Sequence, residues 1–385
     1  MDRRPLGAAL PAHRRRDRLA RDPAVAARAR TTRRLIAVLA GLVLVAALAA
    51  GGVVLYLSLR PGPPPLIVGV DDDTLKWTGE PLAVVRRQQA LGADAVRIWV
   101  PWNGGTRPNG TRKAELARAE TAARRTRVVL AVFGPAARSP LTAPARERFC
   151  SYARAALALV PDARAVVVWN EANSATAWRG GAAGYERLLA RCFDLLHAVR
   201  PDVDVLDSTA SAHAPAAFLL GVAAALRASG RSAPIVDGFG HNPYPRTSAE
   251  SPLATHPAGF LGEGDYERLA ATLRDGFSGT PQHALDVWYL EDGFQTQAPR
   301  SSGYTGRETA VTVTPATQAE RLRTAIRLAA CQPTVRAFFN FELVDEPSLA
   351  GWQSGLIWRG RGRKPAADAF RAAAEAARSG SVSCP

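Results

Sequence analysis

The sequence predicts an α/β fold, a (β/α)8 barrel, preceded by one N-terminal transmembrane helix. Three observations carry this. From Leu66 onward, short β-rich apolar runs alternate with longer Ala/Leu/Arg-rich stretches over roughly 320 residues, the pattern of repeated βα units on a parallel sheet. The β-rich runs are apolar throughout, as expected of strands covered on both sides. Ahead of them, Leu35 to Leu59 is a run of 25 residues without a charge, enough at ~1.5 Å rise per residue to cross a hydrocarbon core of about 30 Å.

Residues 1–34 contain eleven Arg and three acidic residues, or +8 of the formal +15 carried by the 385-residue chain. A basic flank before an apolar span resists translocation, so the expected topology leaves this tail in the cytoplasm and everything after Arg60 outside. A cleaved signal peptide is the competing reading, because Ala47-Leu48-Ala49 is an A-x-A site. Against it, the apolar run continues through Val53-Val54-Leu55-Tyr56-Leu57. Nucleic-acid binding by the tail is a further alternative, but topology and lipid headgroup contact explain Arg beside a span more simply. The expected partner of this N-terminal stretch is therefore a membrane, with no nucleic acid.

Pro61-Gly62-Pro63-Pro64-Pro65 cannot continue a helix and favours a stiff, extended spacer, so residues 60–65 read as a linker and 66–385 as the globular domain. With 47% apolar and 22% charged residues, the body is globular rather than disordered. Cys150, Cys192, Cys331 and Cys384 fall on the expected oxidising side, where three pairings are possible. Cys331 with Cys384, and Cys150 with Cys192, is the preferred set. Four buried thiols are the alternative. No C-x-x-C spacing suggests a metal, and no cofactor is expected.

The expected strands are Leu66–Val70, Ala95–Val100, Arg127–Phe133, Ala165–Trp169, Val203–Ser208, Ile235–Gly240, Asp286–Glu291 and Val335–Phe341, with helices between them such as Ala182–Val199 and Thr317–Cys331. A doubly wound sheet is the runner-up. Its Gly-rich fingerprint is missing, since Val70 is followed by Asp71-Asp72-Asp73-Thr74, which would repel a pyrophosphate. Neither a P-loop nor H-E-x-x-H occurs.

A barrel keeps its chemistry at the C-terminal ends of its strands. Asn170 and Glu171 end the fourth expected strand and Glu291 ends the seventh, about 120 residues later. Arg97 and Trp99 lie in the second, with Trp102 just after it. His241-Asn242-Pro243-Tyr244 follows the sixth, and Glu342 follows the eighth, with Asp345 and Trp352 beyond. Trp77, Trp102, Trp178, Tyr244, Trp288 and Trp352 offer flat apolar faces of the kind sugars stack on, although such residues also fill cores; Trp102, Trp178 and Trp352 are expected at the site.

On these residues the chain, over about 66–371, resembles the clan of retaining (β/α)8 glycoside hydrolases that includes cellulase-, mannanase- and β-xylosidase-like families. The resemblance implies that Glu171 is the general acid/base and Glu291 the nucleophile. Val96-Arg97-Ile98 is similar to the second-strand Arg of that clan, and His241 with Tyr244 to its sixth-strand pair. Gly355-Leu356, Lys364-Pro365 and Phe370 are similar to its closing stretch. Arg97, Trp102, Asn170, Trp178, His241, Tyr244 and Trp352 are then expected to bind a poly- or oligosaccharide substrate or support the acids. The sequence departs from the clan at Ala172, where a Pro is usual, and at Asp292, after the expected nucleophile. A catalytically inactive barrel acting as an envelope carbohydrate-binding or scaffold protein, and a transglycosylase using the same pair, are the alternative functions.

Pro245–Gly264 and Gln295–Pro315 exceed common connection lengths and are expected to rim the cleft. Arg359, Arg361, Arg363 and Lys364 read as a solvated basic turn rather than a subsite for acidic sugars.

Overall fold

The structure, a computed structural model, describes residues 28, 36, 38–47, 65–299 and 303–384. The chain divides between Pro63 and Pro64 into two units. In the first, residues 38–47 are helical and exposed, and among the described residues no helix is long and apolar enough to cross a membrane. The rest of the Leu35–Leu59 run lies outside the described residues, as do the basic tail except Arg28 and the linker up to Pro64.

The second unit is a ring of parallel strands wrapped by helices. The strands are β1 (Ile67–Asp71), β2 (Ala95–Pro101), β3 (Arg127–Phe133), β4 (Ala165–Val168), β5 (Asp204–Leu206), β6 (Thr209–Ala210), β7 (Phe239–Asn242), β8 (Val287–Asp292) and β9 (Val335–Phe341). They pair in the order β5-β4-β3-β2-β1-β9-β8-β7-β6. β5 and β6 are two pieces of one strand broken at Asp207-Ser208. Leu206 pairs with both Val167 of β4 and Gly238 before β7, while Thr209 pairs with His241. Eight strand positions therefore make a (β/α)8-like barrel. The break has a local cause at Gly240, where a Cβ would collide with the Asp207 carbonyl and Leu290, and where the Asp207 carboxylate instead accepts the Gly240 N–H at 2.7 Å.

The helices that follow the strands include α1 (Ala143–Leu159), α2 (Gly181–His197), α3 (Pro215–Ser229), α4 (Tyr266–Phe277), α5 (Pro315–Cys331) and α6 (Pro365–Ser379). Thr142 caps α1 and Thr314 caps α5, each accepting from the backbone N–H three residues on, with Pro in the first turn where a missing N–H costs nothing. Two disulfides close the outer layer, Cys150–Cys192 between α1 and α2 and Cys331–Cys384 between the end of α5 and the tail. This is the preferred pairing.

Strand alternation sorts side chains into two cores. Val68, Val70, Val96, Ile98, Val166, Val168 and Phe338 face the helices. Ala95, Val129, Ala131, Val167, Leu290 and Phe339 fill the barrel interior. Gly69 belongs to the inner set, since a Cβ there would press on Phe339 and the Ala95 carbonyl. The parity established low in the barrel decides which side chains emerge at its mouth.

Several strands end a residue or two away from expectation, and two of these differences shape the site. β7 runs two residues further than Gly240, so His241 and Asn242 are strand residues; Ile235 and Val236 are buried ahead of it, their N–H groups taken by Gln282. β8 carries a bulge: Tyr289 pairs with Phe338 but Asp292 with Asn340, three residues against two. The extra residue reverses the alternation that Trp288 and Leu290 set.

Candidate active site

Arg97 is the centre of the mouth. It has inward parity on β2, is fully buried, and gathers groups from two other strands and from the turn after β4. Nη1 donates to Glu291 at 2.7 Å and to Asp71, and Nη2 donates to the Asn170 side-chain oxygen at 3.0 Å. The bulge in β8 is what turns Glu291 toward it. Tyr244 donates to the other Glu291 oxygen at 3.4 Å.

Glu171 sits across the mouth on the turn after β4. Trp169 and Glu171 have φ of 72° and 47°, a left-handed backbone uncommon for such residues and often associated with functional sites. The turn is held from below. The Ser208 hydroxyl accepts the Glu171 N–H at 3.2 Å and donates to Asn170 at 3.3 Å, and Ser208 is itself fixed by Tyr185, whose hydroxyl donates to the Val168 carbonyl at 2.7 Å. Asn242 donates to the Glu171 carboxylate at 3.1 Å. Because Arg97 and Ser208 both donate to Asn170, its oxygen is committed and its amide nitrogen is left for another partner.

The two acids sit in different surroundings. Glu171 is half-exposed, whereas Glu291 is buried. Burial pushes Glu291 up to about 7, with Arg97 opposing the rise and the charge of Glu171 adding to it; the two carboxylates therefore sense each other. The single cation beside Glu291 does not offset that burial, and Asp71 contacts the same cation. Asp71 is pushed up to about 8, again mainly by burial.

Aromatic side chains wall the mouth. Trp352 packs on Tyr244 and Phe341 with ring centroids 5.0 and 5.2 Å apart, and Trp99 stacks on Phe341 at 6.2 Å. The loops expected to rim the cleft follow β7 and β8, on this face. Residues 300–302 of the second lie outside the described residues.

Of the residues singled out in the sequence, the structure brings together Glu171, Glu291, Arg97, Asn170, Tyr244 and Trp352. It does not bring Trp102, Trp178 or His241 to the cleft. Trp102 shares the outward parity of Val96, Ile98 and Val100; it is buried against Phe149 of α1 and donates to the Gly105 carbonyl. Trp178 is buried between Trp169 and Tyr185 and donates to the Gly181 carbonyl. His241 is buried with one ring nitrogen on Thr209 at 2.9 Å and the other on the Leu261 carbonyl at 2.8 Å. Burial pushes it down to about 4, leaving a neutral ring with no nitrogen for a ligand. Lys364 is no part of a solvated turn either, being buried on Asp345 at 2.7 Å and Thr296 at 2.9 Å.

Three further contributors, Asp71, Asn242 and Trp99, stand near strand ends in the sequence but carry no assigned role there. Each follows from parity, as Asp71 is in step with Gly69, Asn242 with Gly240, and Trp99 with Ala95 and Arg97. No group of three or more His, Cys, Asp or Glu able to hold a metal occurs among the described residues.

No protein-family model and no curated protein sequence matches the chain. Solved structures do. The chain is similar to a GH5_18 protein from Streptomyces cattleya in complex with GlcNAc, at 17% identity, 84% of this chain and 83% of that one, TM-score 0.59. It is similar to a family 39 glycoside hydrolase from Bacteroides cellulosilyticus, at 17% identity and TM-score 0.58, covering 82% of this chain but 64% of the other. A GH53 catalytic domain from Ignisphaera aggregans matches at 17% identity over 81% of this chain and 97% of that one, TM-score 0.55. At such identities the likeness establishes the fold, and these neighbours are glycoside hydrolases of several families.

Proposed function

We propose that this protein is a retaining glycoside hydrolase in which Glu291 attacks the anomeric carbon and Glu171 serves as acid and then base. The observation that carries the reading is the pair itself: two carboxylates from β8 and the β4 turn at one barrel mouth, one buried on Arg97 and Tyr244, the other half-exposed on Asn242. Cleaving a glycosidic bond requires a proton on the leaving oxygen and a nucleophile on the opposite face of the sugar, which one side chain cannot supply. Glu171, nearer solvent, is placed to protonate the departing oxygen and then to take a proton from water. Glu291 must be ionised to attack, and its contacts to Arg97 and Tyr244 favour that form once substrate has entered. The free amide of Asn170 suits a sugar hydroxyl, and Trp352 and Trp99 offer ring faces.

The site is tested with the full chain in detergent on a panel of aryl glycosides and oligosaccharides. N-acetylglucosamine-containing β-glycosides belong in the panel, because a solved neighbour holds GlcNAc. The first product released should retain its anomeric configuration. Glu171→Ala should lose turnover on substrates with poor leaving groups far more than on activated ones, since proton delivery is what it removes. An inverted first product, or equal loss on both, would refute the assignment.

We further propose that the domain is extracytoplasmic and membrane-anchored through Leu35–Leu59. The supports are the uncharged run behind an Arg-rich tail and the two disulfides, which persist on the oxidising side of a membrane. Protease added to intact cells should remove the barrel and spare a short basic fragment; protection of the barrel until lysis would overturn this.

A further inference from the structure

Asp71 has no place in the two-carboxylate scheme, yet it is buried like Glu291 and holds the same cation. It ends β1 with inward parity, is buried, and places one oxygen on Arg97 Nη1, the same nitrogen that holds Glu291. That oxygen also accepts from the Trp99 indole at 3.2 Å. Arg97 is thus pinned between two carboxylates and Asn170, with Nε unpartnered.

We propose that Asp71 is a positioning residue that shares Arg97 with Glu291, so that it sets the ionisation of the nucleophile and remains as the counter-charge of Arg97 once Glu291 is esterified. This rests on the glycosidase reading above.

Charge balance at Arg97 requires a second acid. In the free site one guanidinium faces two carboxylates in a buried setting where a second uncompensated charge is costly. In the first step a Glu291 oxygen bonds to the anomeric carbon, the bond to the leaving oxygen breaks with its electron pair, and that oxygen takes the proton of Glu171. Glu291 becomes a neutral ester while Arg97 keeps its charge. Without a second acid the glycosyl-enzyme would hold a buried, unpaired cation; with Asp71 the pair survives the step. In the second step water attacks, Glu171 takes its proton, and the Glu291 carboxylate returns to share Arg97. Sharing also weakens the hold of Arg97 on Glu291, which leaves the carboxylate more basic and more nucleophilic.

The titratable groups facing this pair come from every side: Asp73 beyond β1, Glu171 on the β4 turn, Tyr244 after β7 and Glu342 after β9. Except for Tyr244 they are acids; Asp73 is paired with Lys76 at 2.7 Å, and Arg97 is the cation in contact with Asp71 and Glu291 themselves. Burial raises both Asp71 and Glu291, with Arg97 opposing the rise in each.

Infrared titration of carboxyl groups in the full chain tests the proposal without requiring turnover, with Glu291→Gln identifying the Glu291 signal by its loss. Asp71→Asn should hand all of Arg97 to Glu291 and lower its midpoint by about one pH unit. The acid limb of kcat/KM should move down with it, and the plateau should fall about tenfold as the nucleophile weakens. Trp99→Phe, which removes the indole hydrogen bond from Asp71, should move the midpoint in the same direction by less, and serves if Asp71→Asn does not fold. A midpoint that stays or rises in both variants overturns the proposal, as does loss of activity with an unmoved limb, the mark of a purely structural role. A midpoint that falls in a protein inactive on every sugar supports the sharing of Arg97 while refuting the glycosidase reading.

Discussion

The two poles of the barrel use the same residue types for opposite ends. At the N-terminal pole Arg127 meets Asp94 at 3.4 Å, Arg164 meets Asp204 at 2.7 Å, Arg336 meets Asp286 at 2.9 Å and His197 meets Asp237 at 2.8 Å. Each carboxylate there has its own base, each pair is part-exposed, and Asp94 and Asp237 also receive strand N–H groups from Val68 and Val205. At the C-terminal pole one fully buried Arg97 serves Asp71 and Glu291, with Glu171 and Glu342 nearby. Burial pushes Asp204 to about 6 at the first pole, but Asp71 to about 8 and Glu342 to about 10 at the second. The number of acids per cation, and their burial, separate a scaffold from a reactive site. The presence of ion pairs does not. Space is no guide either, for a cavity of about 590 Å3 opens at the N-terminal pole, walled by the three Arg–Asp pairs, Asp237 and Trp288.

The sharpest way to break this contrast is to neutralise one acid at each pole. Glu291→Gln should reduce turnover by about 10^4-fold or more, the scale of losing a nucleophile, whereas Asp286→Asn should leave kcat and KM unchanged. Comparable losses from both would mean that the poles are not functionally distinct.

Cations come next. Arg97→Met leaves two buried acids without a cation and should cost about 3–5 kcal/mol of stability. Arg336→Met, at a part-exposed pair, should cost about 0–1 kcal/mol. Denaturant unfolding of both variants gives the comparison, and equal costs would show that burial at the mouth confers no special dependence on Arg97.

The eight strands and both glutamates were legible in the sequence because apolar runs at βα spacing report the barrel directly, and the acids stand at strand ends. Which neighbours join them was not, because that depends on parity and on where a strand stops. Ending the sixth strand at Gly240 rather than Asn242 put His241 at the mouth and hid Asn242, one step away and on the opposite face. Trp102 was misplaced for the same reason, since it continues the outward series of Val96, Ile98 and Val100. Glu291 is the converse case. Strict alternation from Trp288 and Leu290 would aim it away from the axis, and only the bulge, which no local residue pattern announces, brings it onto Arg97.

A third prediction concerns the cost of keeping Glu291 buried. Its pKa is raised from an ordinary 4.5 to about 7, so the folded state holds this proton more tightly than the unfolded chain. The group favours folding below about pH 4.5, and that advantage is lost as pH rises through 7. Glu291→Gln, which cannot ionise, should therefore be more stable than the parent at pH 8 by an amount on the order of a few kcal/mol, a gain that shrinks toward pH 5. The activity limb should follow the same group, with kcat/KM rising with pH through a midpoint near 7. A stability difference independent of pH would remove Glu291 as the titrating acid.

Salt separates the poles most gently. The N-terminal pairs are exposed on at least one side, so ions screen them: at 1 M ionic strength the Debye length is about 3 Å, comparable to the pair distances, and their combined contribution should fall by up to about 1 kcal/mol. Arg97 is sealed between β1, β2 and β8, where counter-ions have no access, so the midpoint of the acid limb should hold from low to high salt while the melting temperature drifts down. If the limb moved with salt, the field on Glu291 would have to reach it through solvent rather than through Arg97 and Asp71. The mouth would then differ from the opposite pole in degree only, and the distinction drawn from burial and stoichiometry would not stand.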